Sequence, residues 1–187
     1  HKLIMTSQAY QQVSRRNAKQ DALDPDNRLL WRKNRRRMGF ETMRDSMLFV
    51  SGQLDHHAGG PPLEKEPDDT ANRRRTLYSF VDRENLPDVF RVFDFPCPDI
   101  SAPGRSRTTV PQQSLFLLNH PFVLENSRAL ATRILASPAD DDTARIALAY
   151  RLAVGRSPRP AEVKRVSEFL AAEVAGETKG TPEEKRL

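Results

Sequence analysis

A single cysteine, Cys97, is the only thiol among 187 residues. That count excludes an internal disulfide and any heme-attachment sequence of the C-x-x-C-H kind within the chain, and it leaves the redox compartment open. No apolar run approaches the roughly 20 residues that a membrane-spanning helix requires. A signal peptide is likewise missing from these residues. Ser51-Gly52 lacks the G-x-S-x-G frame of a nucleophile elbow, and Cys97 stands between two prolines with no histidine beside it. Paired carboxylates meet only in space, so residue order neither selects nor removes glycoside chemistry.

What the chain has in abundance is arginine. Of its 30 basic residues 23 are Arg, interleaved with 25 acids, for a net charge of +5 and a pI near 9.7. Guanidinium groups suit bidentate carboxylate pairing as well as they suit phosphate, so the charge fits internal ion pairs and external anions equally. The length supports one domain with a sizeable core. Leu3, Ile4, Tyr10 and Val13 recur at helical intervals immediately after His1, so the expectation is a fragment truncated at its N-terminus that opens in a helix.

Periodicity predicts a mainly α chain: an irregular domain of six or seven helices with one short strand or hairpin and two long ordered loops. Asp24-Pro25 reads as an N-cap and first turn, with a short helix carrying Leu29, Leu30 and Trp31 behind it. Phe40, Met43, Met47, Val50 and Leu54 repeat at spacings of 3, 4, 3 and 4, one helical stripe. A glycine- and proline-rich loop, DHHAGGPPLEKEPDDTAN, follows, with a mobile tip. Leu77, Tyr78, Phe80 and Val81 form a short apolar run consistent with a buried strand. A helical turn near Pro87 to Phe93 leads into a proline-stiffened connector. Thr109 and Gln112 have capping-box spacing around Pro111, so a helix is expected through Ser114 to Leu118. Asn119-His120-Pro121 interrupts it, and Val123, Ser127, Leu130 and Ile134 stripe the next helix. Asp140, Asp141 and Asp142 suit the start of another, with Ile146, Tyr150 and Ala153 inward and Gly155 as its stop. A last helix from Pro160 and Glu162 directs Val163, Val166, Leu170 and Val174 inward. The single helical domain is expected over residues 1–175, with 176–187 a polar flexible tail.

Several clusters carry possible chemistry. Arg35, Arg36 and Arg37 are the densest basic run, but nucleic-acid readers add a motif or repeated aromatic platforms, and only Trp31 is near. Pairing with Glu41 and Asp45 accounts for part of that run. Asp55-His56-His57 has metal-ligand types without metal-ligand spacing, so no metal is expected. Arg73, Arg74, Arg75, Arg83, Arg105 and Arg107 can gather around Asp82, Asp94 and Asp99 as an ion-pair lattice that fixes the connector. The functional form of the same lattice is an anion or acidic-glycan site.

The blocks HKLIMTSQAY, DPDNRLLWRKNRRRM, ETMRDSMLFVSGQLD with GGPP, RRRTLYSFVDREN, FDFPCPDISAPGRSRTTVPQQSLFLLNHPFV and LAYRLAVGRSPRPAEV together resemble a planctomycete cytochrome-associated C-terminal domain of unassigned activity. The resemblance implies the C-terminal part of a larger exported or periplasmic protein, with a second planctomycete-type domain upstream and, in some members, a c-type cytochrome domain that holds the heme. No cofactor is expected in this chain, and no catalytic residue carries over. Arg107, Thr109, Pro111, Gln112 and Asn119 match the family pattern as structural or ligand-facing positions; Cys97 departs from it. The function expected is a noncatalytic interaction or scaffold domain. Its partners would be upstream domains of the same polypeptide, another protein or an anionic glycan. A component of polysaccharide or sulfated-glycan processing with an Arg-lined anion site is the alternative, and nucleic-acid binding through the basic clusters comes last.

Overall fold

The computed structural model describes residues 1–139 and 141–179, the stretch 174–179 as backbone alone. The chain forms two compact units, His1–Met38 and the residues from Gly39 onward. Among the described residues there are eight α-helices and no sheet, only two isolated bridges, Asp55 with Arg74 and Leu63 with Ser79. None of the helices is long and apolar enough to cross a membrane.

The first unit holds α1 (Lys2–Met5) and α2 (Ala18–Leu23). The expected opening helix spans four residues, and Tyr10 and Val13 lie beyond it. A helix carrying Leu29 to Trp31 does not form: the Asp24 carboxylate instead accepts the amides of Arg28 and Leu29, at 2.9 and 2.8 Å, and Asn27 and Leu30 turn left-handed, at φ 55° and 57°. Those two amides, followed by the charges of Arg28 and Arg32, hold the Asp24 carboxyl below the usual carboxylate range. Asp24 is thus a turn former, as short acceptor side chains are when they bond to nearby backbone. The Trp31 indole donates to the Asp24 carbonyl at 3.0 Å and has the Arg32 guanidinium over its ring. Helix α2 comes before the turn, capped by Asn17, whose side chain accepts the Lys19 amide at 3.0 Å.

The second unit is organised by α3 (Phe40–Ser51). Gly39 begins it, Glu41 lies favourably in its first turn, and Gly52 ends it at φ 76°, a conformation only glycine adopts without strain. The stripe read from spacing is displaced: the buried line is Phe40, Arg44, Leu48 and Ser51, with Met43, Met47 and Val50 only half-buried. Arg44 is wholly buried. Its Nε donates to the Pro67 carbonyl and Nη2 to that of Asn72, while Nη1 reaches the Arg74 carbonyl at 2.8 Å and Thr76 Oγ1 at 3.2 Å. Asp45 Oδ1 lies 3.6 Å from Nη1, and the Phe122 ring covers the guanidinium. One cation therefore fastens the backbone of 67–76 to α3.

This fastening explains why no strand forms at 77–81. Thr76–Tyr78 is a 3-10 turn, because Asp45 Oδ1 takes both the Thr76 amide and hydroxyl at 2.7 Å. Leu77, Phe80 and Val81 then lie exposed, with no strand beside them to bury both faces. The glycine loop is not left loose: Arg74 donates to the carbonyls of Gly59 and Pro61, and Gly59 donates to Tyr78 Oη at 2.9 Å.

Beyond the turn come α4 (Asp88–Val92), α5 (Pro111–Asn119), α6 (Pro121–Leu135), α7 (Asp142–Val154) and α8 (Pro160–Lys179). Phe40, Leu86, Val89 and Phe90 form the core, with Met43, Phe93, Phe95 and Phe116 against it. Phe90 stacks on Phe95 at 4.4 Å, and Phe93 meets Phe116 edge-on at 5.3 Å. The cap of α5 is Val110, which makes no side-chain capping bond, with Pro111 at the first position, so the helix starts one residue after the expected Thr109 cap and without a capping box. His120 separates α5 from α6 and caps the latter, its Nδ1 accepting the Phe122 amide at 3.3 Å. In α6 the fully buried positions are Phe122 and Asn126, Val123, Leu130 and Ile134 being half-buried and Ser127 exposed. Asn126 Oδ1 accepts from Ser51 Oγ at 2.7 Å, joining α6 to α3. Asp141 caps α7, Ile146 is its buried residue, and Gly155 ends it at φ 69°; Ala153, expected inward, is exposed. In α8, Val163 and Val166 are half-buried and Leu170 is exposed. Asp140, the Val174 side chain and residues 180–187 lie outside what the structure describes.

Between α7 and α8, Glu162 accepts from Arg156 through both oxygens at 2.7 Å and from the Arg159 amide at 2.7 Å. The Arg156 hydrogen bond, then the Arg159 amide, lower the Glu162 pKa to about 2. Because the folded value lies below the unfolded one, near 4.3, the contribution is present above that unfolded value and is lost as pH falls through about 2. Titrating the Glu162 carboxyl carbon by NMR is expected to give a midpoint near 2, and a higher one in Arg156→Ala that stays below the ordinary glutamate value because the Arg159 amide is still donated. For Arg44, substitution by Ala leaves three carbonyls without their donor and is expected to cost about 3–5 kcal/mol. Arg44→Lys, a point charge that cannot reach all of them, should recover less than half of that loss in urea unfolding.

Candidate functional site

The exposed side of α3 forms one wall of a groove, a cavity of about 760 Å³. Glu41 and Asp45, four residues apart, occupy successive turns of that wall. Arg105 reaches Glu41 from the connector through both terminal nitrogens, at 2.8 and 2.7 Å, and Arg75 reaches Asp45 at 3.3 Å. Burial alone would push the Glu41 carboxyl up. The Arg105 hydrogen bond, its own backbone amide and the Arg105 charge together outweigh burial and hold it below its ordinary value. Arg105 in turn lies over the Phe95 ring at 5.2 Å. The lining also includes the apolar Phe49, Leu77 and Val81, of which Phe49 is 59% and Leu77 73% exposed. Ser79, another lining residue, has its Oγ buried with no hydrogen-bond partner among the described residues.

A family model for proteins of unknown function, PSD1 (DUF1553), matches residues 1–170. The chain belongs to that family. No curated protein and no solved structure matches it. The PSD1 description names no reaction, so chemistry has to be read from the side chains.

The structure distributes the predicted lattice of this PSD1 domain over separate places. Arg75 and Arg105 share the groove, but their acids are Glu41 and Asp45 of α3 and not Asp82, Asp94 or Asp99. Arg83 meets Asp99 at 3.4 Å on the surface, both side chains largely exposed. Arg74 is buried on loop carbonyls with its guanidinium over Tyr78 at 4.0 Å. Asp94, at φ 61°, accepts the Thr108 amide and hydroxyl at 2.9 and 2.7 Å and so pins the connector. Asp82 accepts the Glu84 amide. Arg73 and Arg107 are exposed. Gln112 and Asn119 line a second groove between α4 and α5; Thr109 is exposed and Pro111 opens α5. His56 is edge-on to Phe49 at 6.5 Å, and among the described residues no cluster of three or more His, Cys, Asp or Glu could hold a metal.

Arg44, and the part that Asp45 plays beside it, were what sequence reasoning missed, Asp45 having been matched there only to Arg35, Arg36 and Arg37. Their one visible signal was position: Arg44 follows Phe40 by four residues and precedes Leu48 by four, in the line of the buried face. Asp45→Asn is expected to cost roughly 1–3 kcal/mol, because the Arg44 cation loses its nearest counter-charge while buried. Arg75→Ala, which removes only the exposed partner, is expected to cost under about 1 kcal/mol in the same urea titration.

Proposed function

We propose that this domain is a noncatalytic interaction module that seats other parts of its own polypeptide on apolar surfaces, within an exported protein linked to a c-type cytochrome. The observation that carries the reading is the distribution of apolar side chains. Among the described residues seven apolar side chains are fully buried, while twenty-two large ones are exposed. Single exposed hydrophobics are ordinary, but Phe49, Leu77 and Val81 line one groove. Pairing inside that groove supports the choice: Arg75 and Arg105 are neutralised by Asp45 and Glu41, which suits a polypeptide better than a polyanion. Export and the cytochrome link rest on the sequence resemblance, and any heme c belongs to an upstream domain, since one cysteine cannot form the attachment motif.

Isothermal titration of this chain with the separately produced upstream region of the same polypeptide tests the proposal. Binding is expected, with Leu77→Asp weakening it at least about tenfold, or ~1.4 kcal/mol, while circular dichroism stays unchanged. No upstream binding, together with salt-dependent retention on a sulfated polysaccharide that Arg105→Ala abolishes, would establish the anion-site alternative instead.

A further inference from the structure

The groove between α4 and α5 differs in character from the one beside α3. One face of α5 supplies Gln112, Leu115, Phe116 and Asn119, spaced three, four and seven residues from the first, so all four lie on one side of the helix. From α4 come Asp88, Val89 and Val92. The cavity between them is about 450 Å³, a volume that accepts one or two apolar side chains of a partner. Leu115, on the groove-facing side, is 56% exposed.

Charge separates this groove from the rest of a chain with an excess of cations. Among the described residues no Lys or Arg lines it, whereas Asp68 and Asp88 do. Asp88 is exposed and makes no hydrogen bond or ion pair with the described residues through its carboxylate. Asp68 Oδ2 is 3.2 Å from His120 Nε2 at one end. With Nδ1 accepting the Phe122 amide, the ring's proton sits on Nε2 and faces Asp68. The α5 C-terminus closes the same end.

We propose that this groove docks a basic amphipathic polypeptide segment, its apolar side chains between α4 and α5 and its Lys or Arg residues on Asp88 and Asp68. Apolar contact supplies the seat, and the acidic rim selects the sign of the partner. The proposal rests on the interaction reading but uses a face distinct from the α3 groove.

A fluorescein-labelled 14-residue Leu/Lys amphipathic helix, titrated with the whole chain and read by anisotropy, tests it against a Leu/Glu helix of the same pattern. The Leu/Lys peptide is expected to bind at least about tenfold more tightly. Asp88→Lys and Leu115→Asp should each weaken it by about tenfold or more with circular dichroism unchanged, whereas Leu77→Asp should leave it intact. Asp26→Lys, a matching charge change elsewhere, should also leave it intact. Equal binding of both peptides, or equal loss in Asp26→Lys, overturns the proposal. So does self-association of the chain that Leu115→Asp removes while no peptide binds, which makes the occupant a second copy. If the peptide fails while the upstream region still binds, this inference falls alone; if both fail, the interaction reading falls with it.

Discussion

A guanidinium withdrawn from water is the constraint on which the second unit rests. Charge in an apolar interior is tolerated only where partners replace its hydration, and Arg44 has carbonyls on Pro67, Asn72 and Arg74, a hydroxyl on Thr76 and a carboxylate on Asp45. Burial lowers its pKa, opposed by the charges of Asp45 and Asp68. Because the planar fork directs donors along fixed lines, it dictates where those backbone carbonyls must lie. A long loop with little regular structure thereby acquires one path without a sheet to guide it.

The same helix divides its labour by face. Arg44, Leu48 and Ser51 look inward, and Glu41 and Asp45 look toward the groove where Arg105 and Arg75 neutralise them. Asp45 belongs to both sides, holding Thr76 with one oxygen and Arg75 with the other. Arg44 and Arg74 are internal fittings, and Arg75 and Arg105 are neutralised by acids of α3, so net charge is a poor guide to the chain's partners. Two kinds of surface remain: a charge-balanced, partly apolar groove along α3 and an acid-rimmed apolar groove between α4 and α5.

Much of the helical framework was legible from local rules. The Asn119-His120-Pro121 break, the start of α7 at the acidic run 140–142 and the Gly155 stop each depend on neighbours in sequence and appear where those rules put them, whereas α3 ends at Gly52, short of the Leu54 that the stripe reached. What escaped depends on distant partners. Arg44 reads as a solvent-facing residue until the loop 23–32 residues away supplies its acceptors. Leu77 to Val81 has strand composition, but strand formation needs a neighbour, and Asp45 turns the chain first. Asp24 has the look of a helix cap, yet its carboxylate closes a turn on Arg28 and Leu29. Glu41 and Asp45 were matched only to the nearby run of Arg35, Arg36 and Arg37 for the same reason: nothing within a helical turn of Arg75 or Arg105 marks either acid.

Trp31, the chain's one tryptophan, sits in the first unit with its indole bound to the Asp24 carbonyl. Emission excited at the red edge of protein absorption therefore reports the melting of that small N-terminal piece alone. The helical body held by Arg44 carries only Tyr78 and Tyr150 as phenolic chromophores and stays dark to that probe. A fluorescence curve and a far-ultraviolet dichroism curve on one sample are consequently two separate thermometers, and a gap between their midpoints measures how independently the two pieces come apart.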